Sequence, residues 1–211
     1  MANIPTLETE QEKKALEYKK LRYDIQSLLE QHNVPLELWG KGAVKDIDFL
    51  TKEVFNQEAQ LLVVNEELFR KIRCVDVEIV HFQNGRVYRL IESKQVFKNG
   101  SERKRGYRGV SEKISQSENH IQGTQRALRE ELGLEENDIQ SNIEIEHLED
   151  NIELALSRSY PGLSTHYTVH KMRVLLSENE FNPEGYIEDN GNITTYFEWE
   201  EVEGKEYSLT N

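Results

Sequence analysis

From Cys74 onward the chain runs in a two-residue period. Val75, Val77 and Ile79 alternate with Asp76, Glu78 and Val80, and Asn84-Gly85 separates this run from a return segment, Arg86 to Phe97. A period of two sets alternate side chains on opposite faces of an extended strand. Asn-Gly between two such runs tolerates the positive φ angles of a type I′ turn. The segment is therefore read as a β-hairpin. Further strand patterns follow: Ile143 and Ile145 alternate with acids, a long strand spans about Thr165 to Leu176, and Ile193 to Val202 carries Tyr196, Phe197 and Trp199. One strong helical pattern, about 118–132, interrupts them. Strands, a single helix, then more strands is an α+β plan, not the regular βαβ alternation of a doubly wound sheet.

Residues 1–70 read as a helical N-terminal extension and residues 71–211 as the main domain. Residues 7–31 form the first helix: Thr9 and Glu12 have capping-box spacing, and Tyr18, Leu21, Ile25 and Leu28 recur at helical intervals. Asn33-Val34-Pro35 ends it. Trp39-Gly40-Lys41-Gly42 reads as a glycine turn; no strand precedes it, so it does not read as a phosphate loop. Ala43, Ile47, Leu50 and Val54 line one face of a second helical stretch, and Leu61-Leu62-Val63-Val64 is too short for periodicity to separate strand from helix end. These apolar stripes are expected to pack on the main domain or on a second copy of the chain as a homodimer.

Charge narrows the function. The 211 residues carry 26 Lys+Arg against 39 Asp+Glu, a net charge of −13, which argues against a protein that coats nucleic acid. One cysteine, Cys74, excludes an internal disulfide framework and a multi-cysteine zinc site. No apolar run approaches the ~20 residues of a membrane span, and Met1 to Thr6 has neither a basic nor an apolar leader pattern. A soluble, cytoplasmic protein without a membrane partner is expected. Against the acidic background, Lys98, Arg103, Lys104, Arg105 and Arg108 fall within residues 98–108 beside a single acid, Glu102; they read as a basic hairpin loop.

The helical pattern carries the chemistry. Ser117 or Asn119 can start it, and Gly133 stops it in a left-handed cap. Positions 127, 130 and 131, three and four apart, share one helix face. Glu130 and Glu131 sit side by side near the C-terminus, where the helix dipole disfavours acids by a few tenths of a kcal/mol each. Paired carboxylates that bind Mg²⁺ or Mn²⁺ would rationalise that placement; ordinary decoration of an amphipathic helix is the alternative.

The wider spacing, Glu118, seven residues, Arg126, then Leu128, Glu130-Glu131, Gly133 and Leu134, resembles the second part of the Nudix box. Ala127 stands where that family has its first helix Glu, and Glu112 where it has the leading Gly. The resemblance implies a mixed β-sheet with the box helix packed on it. It also implies hydrolysis of a nucleoside diphosphate linked to another group, by water attack on a phosphorus held by divalent metal. Carried over by position, Glu130 and Glu131 would be metal ligands, Arg126 the orienting arginine, and Glu118 the loop-to-helix carboxylate, counted with the metal set. Ala127 can neither bind metal nor act as base, and loss of a general base costs ~10²–10⁴ in rate. Glu112 is the expected substitute. Lys113, Arg105 and Arg108 are expected to face phosphate, and Tyr160, in the turn Ser159-Tyr160-Pro161-Gly162, to stack on a base or sugar or else to pack structurally. His166 and His170 alternate on one strand face and read as partly buried strand histidines rather than zinc ligands. Two rival readings stay open: a catalytically silent nucleotide-binding sensor, supported by Ala127, and an RNA-end processing enzyme, in which the basic segment would touch RNA.

Overall fold

The computed structural model describes residues 9–42, 44–203 and 207. Residues 7 and 8 of the expected first helix, and Ala43, lie outside the described residues. The chain forms two compact units, Met1–Ile72 with Glu153–Tyr167, and Arg73–Ile152 with Thr168–Asn211. Among the described residues no helix is long and apolar enough to cross a membrane.

The first unit opens with α1 (Glu10–Gln31). Thr9 caps it as the spacing predicts: its hydroxyl accepts from the Glu12 N–H at 3.2 Å, and the Glu12 carboxylate accepts the Thr9 N–H at 2.7 Å. Asn33, at φ 54°, turns the chain away. After α2 (Ile47–Phe55), capped by Asp46, the ambiguous apolar run is a strand, β1 (Ala59–Val64). It pairs antiparallel with the first residues of β2 (Glu67–Gln83), Ala59 facing Ile72 and Val64 facing Glu67. Ile25 and Leu29 from α1, Leu50 from α2, Leu68, Trp39, Tyr160 and Leu163 make its core. Two ion pairs share a carboxylate there: the buried Glu53 takes Arg70 at 2.5 Å and Lys45 at 2.9 Å. Loss of either partner would strand a desolvated charge.

The second unit is built on a sheet whose strands run in the order β6-β7-β2-β3-β9-β8, with β4 on β3 and β5 on β2. Its elements are the rest of β2, then β3 (Arg86–Phe97), β4 (Glu102–Arg108), β5 (Val110–Ile114), α3 (His120–Leu132), α4 (Glu136–Asn142), β6 (Glu144–Leu156), β7 (Ser164–Leu176), β8 (Tyr186–Asp189) and β9 (Ile193–Val202). The tip of the β6–β7 connection belongs to the first unit. Asn84 and Gly85 close the β2–β3 hairpin at φ 52° and 76°, both positive as a type I′ turn requires. Val75, Val77 and Ile79 are fully buried, the inward set of the two-residue period. Contacts between β2 and β7 advance together: Cys74 with Thr168, Asp76 with Lys171, Glu78 with Arg173, His81 with Leu176. Such an advance marks parallel neighbours, so the otherwise antiparallel sheet is mixed. The fold is α+β.

One expectation is corrected here. The basic segment is not a loop but the strand β4, with Arg103 opposite Gln95 and Lys104 opposite Lys94. Its Arg- and Lys-rich pattern carries no β signature of its own; pairing with β3 makes it a strand. The sequence reading also left out β5, α4 and β8.

Helix α3 starts at Asn119, whose side chain accepts the Gln122 N–H while Gln122 accepts the Asn119 N–H. It ends at Gly133 in the left-handed region, φ 68°. Within it Gly123 has no room for a side chain: a Cβ there would lie 2.1 Å from Ile114 Cγ2 on β5. This contact sets how closely α3 lies on β5. Replacement of Gly123 by Ala is expected to destabilise the protein despite alanine's better helix propensity. Overpacking costs about 1–3 kcal/mol, which exceeds the roughly 1 kcal/mol gain of Gly to Ala. Thermal denaturation should show a Tm lowered by a few degrees (about 2–4 °C per kcal/mol); an unchanged or raised Tm would contradict the contact.

Candidate functional site

Arg126, on α3, gathers the carboxylates of the sequence pattern. Its Nε donates to Glu118 Oε1 at 2.8 Å and its Nη2 to Glu118 Oε2 at 3.2 Å. Nη1 donates to Glu130 Oε2 at 2.9 Å and lies 3.5 Å from Glu112 Oε1, while Nη2 also donates to the Lys113 carbonyl at 2.5 Å. Helix, preceding loop and strand β5 therefore meet at one guanidinium. Glu118 also accepts the Ser115 N–H at 2.8 Å. Hydrogen bonds from Arg126 hold its carboxyl below the usual range. With both oxygens engaged, Glu118 fastens the loop to the helix.

Beyond Arg126 lies a cleft lined by Glu131, Glu92, Glu188, Arg105, Tyr107 and Thr195, among others. Glu131 is half-buried, and its carboxyl is pushed up to about 7, first by burial and then by the neighbouring charges of Glu188, Glu112, Glu92 and Glu130. Burial also raises Glu112, against the pull of Arg126. The buried Glu92 is raised by burial too, although its Oε2 takes Arg105 at 2.9 Å. Its Oε1 is buried with no hydrogen-bond partner. An acceptor without a donor, set among acids that resist ionisation, is a donor set of the kind hard divalent cations complete. Carboxylate oxygens suit Mg²⁺ or Mn²⁺ in kind, but among the described residues no three of these carboxylates offer oxygens within 4.8 Å of one another, so an ion would have to draw them together.

The helix face expected to carry 127, 130 and 131 together is divided. Ala127 is fully buried in the core cluster, Glu130 is exposed and Glu131 lies at the boundary. Of the expected phosphate-facing bases, Arg105 lines the cleft, but Arg108 lines a different one with Asp76, Glu78 and Lys171. Lys113 reaches the cluster through its carbonyl. Tyr160 is fully buried in the first unit, with the Trp39 ring centroid 5.0 Å away and the Arg70 guanidinium over its ring at 4.9 Å. It offers no face to a ligand, and the structural alternative for this turn tyrosine holds. His166 packs edge-on to Phe69 in the first unit, whereas His170 meets Asp150 in the second. Glu92 and Glu188 were missed, since neither lies near the box; only the pairing of β3 with β9 and of β9 with β8 brings them to the cleft.

No protein-family model matches the chain, and no curated protein matches it. Several solved structures match it at low identity. The C. elegans Ap4A hydrolase matches at 12% identity and TM-score 0.31, over 64% of this chain and 83% of that one. The NUDIX domain of Shewanella oneidensis NrtR, solved as a complex with ADP ribose, matches at 13% identity and TM-score 0.40, over 61% and 71%. A MutT/nudix family protein from Enterococcus faecalis matches at 16% identity and TM-score 0.42, over 74% of this chain and 51% of that one.

Proposed function

We propose that this chain is a divalent-metal-dependent hydrolase that splits a diphosphate linkage in a nucleoside diphosphate joined to another group. The observation that carries the reading is Glu131: a carboxyl pushed up to about 7 in a cleft that also holds Arg105. A carboxyl that burial and four neighbouring acids keep from ionising marks a concentration of negative charge that a divalent cation would offset. Glu131 and Glu130, with Glu112 in place of the side chain that Ala127 lacks, would hold Mg²⁺ or Mn²⁺, with Glu92 and Glu188 on the sheet side. Such an ion polarises a phosphoryl oxygen and acidifies bound water. The ionised Glu131 takes the proton of the attacking water as the phosphorus–oxygen bond to the leaving phosphate breaks. Arg105 orients phosphate oxygens. Arg126 acts through the carboxylates it positions, and Glu118 through the loop it fastens.

One observation favours a second reading. Ala127 is fully buried and brings no carboxylate to the cleft, as a nucleotide-binding sensor without turnover would tolerate. A product assay separates the two: ADP-ribose, nucleotide sugars, dinucleoside polyphosphates, NADH, deoxynucleoside triphosphates and capped RNA, each with Mg²⁺, with Mn²⁺ and with EDTA. Metal-dependent cleavage supports the hydrolase. Thermal stabilisation by an intact nucleotide, without product, supports the sensor.

Glu131→Gln is expected to lower turnover by ~10²–10⁴ with the fold intact by circular dichroism. Glu112→Gln should weaken both metal affinity and turnover; if neither changes, Glu112 is not the substitute carboxylate. The folded pKa of Glu131, about 7, lies above its ordinary 4.5, so between those values the native state retains a proton that the unfolded chain releases. Its contribution to stability is therefore present at low pH and lost as pH rises from about 4.5 through about 7. Thermal melts from pH 5 to 8 without metal should show this decline, and Glu131→Gln should flatten it. Restoring the family residue with Ala127→Glu is expected to destabilise the protein by about 3 kcal/mol rather than to raise activity, since it forces a carboxylate into the core; denaturant unfolding measures it.

A further inference from the structure

Three histidines that no pattern in the sequence joins meet in the second unit. His147 and Asp150 lie on β6, His170 on β7, and His120 is the first residue of α3. Asp150 Oδ1 lies 2.7 Å from both His147 Nε2 and His170 Nδ1. One ligand atom from each of these three residues falls within 4.8 Å of the other two. The His120 ring stands beside them, its centroid 4.7 Å from that of His147 and 5.3 Å from that of His170. His170 is nine-tenths buried, and its Nε2 has no hydrogen-bond partner.

We propose that His147, Asp150 and His170 bind one divalent transition-metal ion of the zinc class, with His120 placed as a fourth donor, at a site separate from the carboxylate cleft. A tetrahedral ion with bonds of about 2.0–2.1 Å needs donors roughly 3.3 Å apart. The two imidazole–carboxylate separations need open by only about half an ångström to admit it. Two imidazoles and a carboxylate are ligands for Zn²⁺, Co²⁺, Ni²⁺ or Cu²⁺, whereas Mg²⁺ takes oxygen. Without an ion, one carboxylate oxygen serves both imidazoles. An ion held here ties the first turn of α3, two residues after Glu118, to strands β6 and β7. The site does not depend on the hydrolase reading.

The test uses the full chain without a histidine tag, stripped with EDTA and titrated with ZnCl₂, CoCl₂ and MgCl₂. Expected are one Zn²⁺ per chain with a Kd of about 1 μM or below (about −8 kcal/mol), the intense visible absorption of four-coordinate Co²⁺, and no displacement of Co²⁺ by Mg²⁺. His147→Ala and Asp150→Asn, both at exposed positions, should each weaken Zn²⁺ binding by at least about 10–100-fold. His166→Gln and the double variant Glu130→Gln/Glu131→Gln should leave it unchanged. The proposal is overturned if Zn²⁺ binding does not saturate below about 100 μM, which would mean a hydrogen-bonded network only. It is equally overturned if the Glu130/Glu131 variant, rather than the His147 or Asp150 variant, abolishes binding. Absence of diphosphate cleavage by the unaltered chain, with Zn²⁺ binding intact, would count against the hydrolase reading alone.

Discussion

A single guanidinium decides whether the acidic cleft exists. Arg126 joins Glu118 of the loop, Glu130 of its own helix, Glu112 of β5 and the Lys113 carbonyl. Each bond is charge-assisted or directed at a backbone acceptor, and the fork geometry lets one side chain satisfy elements that approach from different directions. Without it, Glu112, Glu118 and Glu130 would repel one another at the point where α3 must lie on β5. The close packing of Gly123 on Ile114 completes that docking. Electrostatic and steric demands thus converge on the same helix–strand contact.

The counterpart is a charge imbalance left in place. Glu131 sits at the C-terminal end of a helix, where the dipole is adverse, among four other carboxylates and partly out of water. Arg105 offsets Glu92 but leaves one oxygen of it unpaired. Such an arrangement does not serve stability. Unfavourable electrostatics concentrated in one cleft, while the rest of the unit is well packed, is the pattern expected where function sets the local composition.

Much of this fold is legible wherever one local rule decides. Asn84-Gly85 dictates its turn because few other residue pairs accept two positive φ angles, and Thr9, Asn119 and Gly133 mark helix ends through groups that act within four residues. The Arg126–Glu118 pair is likewise foreshadowed by spacing across a loop and two helical turns. Strand β4 is not legible, because its register is imposed by β3 and its side chains are those of a solvated surface. Glu92 and Glu188 enter the cleft only through the pairing of strands distant in sequence. The burial of Ala127 escapes a helical wheel, which tells which residues share a face but not where along that face water ends. Tyr160 is left open for a related reason: an aromatic beside a Pro-Gly turn has the same local sequence whether it is covered or open.

The first unit is assembled from two stretches of chain separated by eighty residues, Met1–Ile72 and Glu153–Tyr167. Trp39 donates its indole N–H to the Pro161 carbonyl, and Tyr160 and Leu163 fill the space beside Leu50 and Leu29. During synthesis, then, α1 and α2 leave the ribosome before the β6–β7 connection, and their apolar faces are only partly covered until it has emerged. An earlier segment of the nascent chain is completed by a later one, so its closure is tied to the progress of translation through the second unit.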